Sequence, residues 1–257
     1  MSDRKESFEV IGTPRVELYL NSGDVRFKQV SDEIVTLSMS GSAEAVDAIE
    51  VFATEGTITA RTTAKRRRWF GGGSVDTIVS LPAGSDVLVH LGAGDVTANF
   101  DLGEAEVHVG SGDIRLETVT GRADLKVGSG DIRLSKAESI CRVASAAGDC
   151  RLGMLTEVSI STGAGDLYLD DVSESATIKA AAGDVRVRRF SGTDLEIKTM
   201  SGDATIGLIP GLTVNANVKT MSGDLRNRIK PSGAEKVGTV NLTVVSFVGD
   251  VTLKTAK

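Results

Sequence analysis

Carboxylates recur along this chain at a spacing that could line up ligands for a hard cation. Aspartate follows glycine at Gly94-Asp95, Gly112-Asp113, Gly130-Asp131, Gly148-Asp149, Gly165-Asp166, Gly183-Asp184, Gly202-Asp203, Gly223-Asp224 and Gly249-Asp250, with an outlying copy at Gly23-Asp24. Calcium-binding β-rolls use denser Gly-Gly-x-Gly-x-Asp repeats, and one carboxylate per turn offers a calcium ion too few oxygens. Arginine stands two residues after the aspartate at Arg26, Arg115, Arg133, Arg151, Arg186 and Arg226, which gives those carboxylates a counter-charge on the same side of a strand. Glycine suits a turn that needs positive φ, and aspartate can accept backbone N–H groups there. These pairs are therefore expected to form structural turns and a charge ladder, and no metal site is assigned to them.

The remaining reactive residue types are sparse. His90 and His108 stand four residues before successive glycines of the series, so they share one outer column. That column continues as Lys126, Ala144, Ser161, Lys179, Lys198 and Lys219, a solvated face without a catalytic or metal role. Cys141 and Cys150 fall at inward positions and are expected to be small buried hydrophobes. No Gly-x-Ser-x-Gly or His-Glu-x-x-His is present, and Gly233-Ala-Glu-Lys-Val-Gly-Thr lacks the Gly-Lys-Ser/Thr ending of a phosphate loop. No catalytic, cofactor-binding or metal-ligating residue is assigned, and the chain is not expected to be an enzyme. One run contrasts with its surroundings: Lys65, Arg66, Arg67, Arg68, Trp69 and Phe70, followed by three glycines. It fits a hairpin loop between two strands, and equally a contact loop for an acidic protein or an anionic surface, because arginine and tryptophan are frequent interface anchors.

These residues must be positioned by a repeat. From Gly94 the Gly-Asp intervals are 18, 18, 18, 17, 18, 19, 21 and 26 residues. Aligned on the glycine, the columns sort by chemistry. Five residues before it stand Val89, Val107, Leu125, Val143, Ile160, Ile178, Ile197 and Val218. Seven before it stand Val87, Ala105, Ala123, Cys141, Val158, Ala176, Leu195 and Ala216. Two and four residues after it the pattern is again apolar, as in Ile114 and Leu116, with Asn227 the exception. Apolar residues at every second position mark strands with one buried face, and matched columns mean that each copy stacks on the next. The predicted fold is all-β: a parallel β-solenoid, or β-helix, of about 18 residues per rung. A second turn about half a rung away, at Gly103 and Gly121, fits a flattened two-faced coil, and a three-sided coil stays open. The solenoid is expected over residues 87–257. Residues 1–86, with strands at Val16–Leu20, Val25–Phe27, Ile34–Leu37, Thr57–Ala60 and Val75–Leu81 and a short helix at 43–49, are expected to form a β-rich cap off the repeat.

The run Val109-Gly-Ser-Gly-Asp-Ile-Arg-Leu, the repeated Met200-Ser-Gly-Asp and Met221-Ser-Gly-Asp, and the lead-in Leu81-Pro-Ala-Gly carry a resemblance. Over nearly its whole length the chain resembles a bacterial β-strand-repeat family of candidate adhesins, counted among the domains of unknown function. The resemblance implies a β-solenoid without catalytic residues, and an adhesin role would imply export.

Composition bounds the function classes. Aromatics are 4% of the 257 residues, too few for a sugar-stacking groove, and the net charge of −6 argues against nucleic-acid binding. Two cysteines do not make a secreted disulfide framework, and neither a leader nor a membrane span is recognisable, so the expected location is cytoplasmic. The expected function is a non-enzymatic structural or interaction scaffold. A bactofilin-like self-assembling cytoskeletal element and a polysaccharide-binding or polysaccharide-cleaving β-helix are the alternatives. Gly249-Asp-Val-Thr-Leu-Lys-Thr-Ala-Lys257 stays in register and is expected to be an open outermost rung through which the chain self-associates.

Overall fold

The computed structural model describes residues 2–63, 73–230 and 236–256. Among them the chain is all-β, its one helix being the five residues Ala43–Asp47, capped by the Ser42 side chain, which accepts from the Ala45 N–H. The residues fall into two compact units, Met1–Gly130 and Asp131–Lys257.

In the first unit, parallel strands carry the alternation predicted from sequence. Asp86–Ala93 pairs with Ala105–Ser111, which pairs with Ala123–Ser129, so that Val89, Val107 and Leu125 align. All three are completely buried. After each turn the chain returns on a second set of strands, Val96–Leu102 beside Ile114–Val119, with Val96 against Ile114 and Ala98 against Leu116. The expected cap divides. Arg15–Ser22 and Val25–Gln29 join this stack in register, with Leu18 on Val89 and Val25 on Val96. The Gly23-Asp24 copy is thus a full repeat, which the 71-residue gap to Gly94 concealed. The capping layer is formed by the other segments. Ser2–Glu9 lies antiparallel to Ile34–Gly41, which lies antiparallel to Val75–Leu81, while Ile49–Thr54 lies antiparallel to Thr57–Thr62. Ser2–Glu9 escaped the sequence reading because it has no fully buried face and depends on its partner strand.

In the second unit the strands Ile132–Ala147, Cys150–Ala164 and Leu167–Ala182 pass the second corner without leaving the ladder. The register slips there, between Ala137 and Ile140 and between Leu155 and Glu157, so a bulge replaces the expected turn. The column three residues before the glycine is buried too, although sequence reading passed over it. It runs Ser145, Thr162, Ala180, Thr199 and Ser246, adjacent residues of paired strands. Its four hydroxyls are buried with no hydrogen-bond partner.

Chain order and spatial order then part. Asp194–Ser201 pairs with Gly238–Val248, and that strand pairs on its other edge with Leu212–Ser222. Likewise Val251–Thr255 lies between Ala204–Leu208 and Leu225–Arg228. The last copy of the repeat is inserted between the two before it. The expectation that the C-terminal residues form an open outermost rung is therefore corrected: Val251 and Leu253 are buried, and the copy at Gly223-Asp224 lies outside them. Composition explains the choice. The inserted copy presents Leu242, Val244, Val251 and Leu253 to the core, whereas the outer one presents Ala216, Val218, Leu225 and Asn227. Covering the more apolar copy on both edges removes more apolar surface from water.

Candidate interaction surface

The recurring turn is where residue chemistry is most tightly specified. Gly112 has φ +137°, and a Cβ there would lie 2.1 Å from the Gly94 carbonyl oxygen. Gly183 repeats the arrangement, at φ +116° and 2.1 Å from the Gly165 oxygen. No side chain fits, on both conformational and steric grounds. The aspartate beside each glycine works between turns rather than within one. In the first unit the Asp24, Asp95 and Asp113 N–H groups donate to the carboxylates of Asp76, Asp24 and Asp95 at 2.9–3.2 Å. In the second unit Asp149, Asp166, Asp184 and Asp203 donate to Asp131, Asp149, Asp166 and Asp184. The ladder there continues in spatial order, with the Asp250 N–H on Asp203 and the Asp224 N–H on Asp250. Asp76, which no glycine precedes, was invisible to the motif.

Arginine at the predicted offset counters the charge along part of this row. Arg26 reaches Asp24 at 2.8 Å, Arg133 reaches Asp131 at 3.1 Å, and Arg115 bridges Asp95 and Asp113. Arg186 instead lies over the Tyr168 ring. The N–H donated by Asp113, aided by Arg115, holds the Asp95 carboxyl below its ordinary range, although burial opposes this.

Spatial order leaves an edge. Among the described residues, Leu212–Ser222 and Leu225–Arg228 pair on one side only. Their inward-column residues are accordingly uncovered: Leu225 is 51% exposed, against 0% for Val251 beside it. A second feature adjoins this edge. Two residues before the glycine most copies have Gly or Ala, as at Gly92, Gly110, Gly128, Ala146, Gly163 and Ala181, but the last three in space have Met200, Phe247 and Met221. All three are more than half exposed, as is Val248. An apolar stripe thus leads up to an unpaired strand edge.

A family model, Toastrack DUF4097, matches residues 14–257. The chain belongs to the Toastrack DUF4097 family. Solved structures similar to this Toastrack chain include a candidate lipid-binding protein from Parabacteroides distasonis, 13% identical, with 96% of each chain covered and a TM-score of 0.47. A candidate adhesin from Parabacteroides merdae is 11% identical over 96% of this chain and 95% of that one, with a TM-score of 0.44. Another from Bacteroides fragilis is 13% identical over 98% and 97%, with a TM-score of 0.36. No curated protein matches the chain significantly.

Other residues singled out in this Toastrack chain are placed as follows. Lys65, Arg66, Arg67, Arg68, Trp69 and Phe70 lie outside the described residues. Cys141 and Cys150 are buried and not disulfide-bonded, and burial, helped by Asp131 and Asp149, pushes the Cys150 thiol up to about 12. His90 and His108 are direct neighbours across paired strands, their ring centroids 4.6 Å apart. Burial, then Lys126 and His90, holds the His108 imidazole below its ordinary value. No helix among the described residues is long and apolar enough to cross a membrane.

Proposed function

We propose that this protein is a non-enzymatic interaction scaffold, a β-solenoid of about 18-residue rungs, that pairs with a second copy of itself through the rung Leu212–Arg228. The observation that carries this reading is the unpaired edge of that rung, flanked by exposed Met221, Leu225 and Phe247. An open parallel edge offers unsatisfied backbone N–H and C=O groups together with apolar surface, and both are satisfied by edge-to-edge pairing.

The edge is self-complementary. Antiparallel pairing about a two-fold axis at Ala216 would set Val214 against Val218 and Lys219 against Thr213, with no like charges opposed on this strand. In the first unit the strands beyond the parallel stack are antiparallel and do not present the same edge. That favours a closed pair over a bactofilin-like filament. The basic run from Lys65 to Phe70 is a second proposed contact, for an acidic protein or an anionic surface. Its support is sequence chemistry alone.

Sedimentation velocity over a wide concentration range tests the pairing. A concentration-dependent dimer that becomes monomeric in the double variant Met221→Lys, Leu225→Lys is expected. A strict monomer at high concentration, or filaments by electron microscopy, would overturn it. Pull-downs with the four basic residues neutralised test the loop, and an unchanged partner set would remove that contact.

A further inference from the structure

The outer face of the first unit carries a cluster that the column reading treated as solvated surface. Strand register puts Tyr19, His90, His108 and Lys126 in one line across four paired strands. Two residues earlier on the same strands, hence on the same outward side, run Glu17, Leu88, Glu106 and Asp124. One line supplies imidazoles and the other carboxylates. The two lines come together at His90, Glu106 and His108, where one ligand atom from each side chain lies within 4.8 Å of the others.

We infer that His90, Glu106 and His108 form a binding site for a borderline divalent metal ion, of which zinc is the type, with solvent completing the coordination. Four observations support it. All three side chains are half-buried, so they are partly ordered yet reachable from solvent. The Tyr19 ring stacks on His90 at 5.3 Å and 12°, and His108 meets His90 edge-on at 82°, which restrains both imidazole planes. The His108 Nε2 carries its lone pair outward, because it accepts from the Lys126 ammonium at 3.0 Å. Finally, that ammonium is a cation held against the same cluster. It lies 2.9 Å from Asp124 Oδ1, and the same Nε2 is 3.7 Å from Glu106 and 3.8 Å from Asp124.

The donor set selects the metal. Two imidazoles with a carboxylate suit zinc, cobalt or nickel, whereas calcium and magnesium require mainly oxygen ligands. Bond lengths of about 2.0–2.2 Å place the ligand atoms of a tetrahedral zinc roughly 3.4 Å apart, so the cluster closes by side-chain rotation once Lys126 swings away. Bound metal would clip together two adjacent strands, Asp86–Ala93 and Ala105–Ser111, and binding to the folded state alone raises stability.

Isothermal titration of the full-length protein with zinc, and cobalt absorption spectroscopy, test the site. The chain has only two histidines, so a histidine-dependent signal maps here. One equivalent of zinc and a tetrahedral cobalt spectrum are expected. His90→Ala, His108→Gln and Glu106→Gln should each weaken affinity about tenfold or more, and Lys126→Ala should tighten it roughly threefold by removing the competing charge. Circular dichroism confirms that each variant is folded. No binding, or binding that Glu106→Gln and Lys126→Ala leave unchanged, would overturn the proposal, since a bare histidine pair then explains the signal.

Discussion

Asp166 illustrates what one ladder carboxylate contributes. Its oxygen accepts the Asp184 N–H at 2.9 Å, while its own N–H is taken by Asp149. Asp166→Ala leaves that N–H without its acceptor and should cost about 1–3 kcal/mol in urea denaturation; Asp166→Asn keeps an accepting oxygen and should cost less. The charge on the row has a pH signature. Asp95 is held below its ordinary value, chiefly by the Asp113 N–H. In the acid range the unfolded chain therefore binds the proton more readily. The stabilisation is complete above the unfolded value, about pH 4, and is lost as pH falls through the lower folded one. Urea midpoints measured against pH should fall in that window, and less steeply for Asp95→Asn. The glycines and aspartates were legible from their interval alone. That the aspartates bond between turns, and that Asp76 joins them, was not, because an interval states recurrence and does not identify the donor.

Strands gain their stability from columns. Leu125 is completely buried, with Val107 directly beside it. Leu125→Ala should cost about 2–4 kcal/mol in equilibrium denaturation, the transfer free energy plus the cavity left behind. The hydroxyl column makes the opposite prediction. Thr199 is buried between Ala180 and Ser246, and its hydroxyl has no hydrogen-bond partner. Valine has the same shape without the oxygen, and the first unit already places Leu91, Val109 and Val127 in this column. Thr199→Val should raise the melting temperature, by about 1 kcal/mol of stability. Sequence reading found the columns that were apolar in nearly every copy and missed this one, whose later members look like surface residues. It also missed Ser2–Glu9, whose order depends on the distant strand Ile34–Gly41.

For the molecule as a whole, the insertion of the last copy changes what a truncation reports. Removing residues 250–257 would take Val251 and Leu253 from between two strands, leaving Leu225–Arg228 without a partner and Ala204–Leu208 paired on one edge only, with Val185–Phe190. The truncated protein should be destabilised and expose apolar surface, measured as a lowered melting temperature with increased binding of a hydrophobic dye. Loss of self-association with the fold intact would instead place the contact at the C-terminal residues. Disrupting the edge while keeping the stack requires substitution in Leu212–Arg228.

The amino-acid sequence by itself determined the all-β class, the turn chemistry and which residues face inward across most of the chain. Those features depend on a residue and its near neighbours, and copying them at a constant interval makes them legible. Two irregularities were also visible there, the 21- and 26-residue intervals and Asn227 in an apolar column, but their meaning was not. Only the tertiary structure decided that the copy holding Asn227 is the outer one, because the order of stacking is settled by comparing how much apolar surface each arrangement covers. The same holds for His90, Glu106 and His108. Histidines 18 residues apart are neighbours only because their strands pair in register, and the glutamate beside them belongs to a different column.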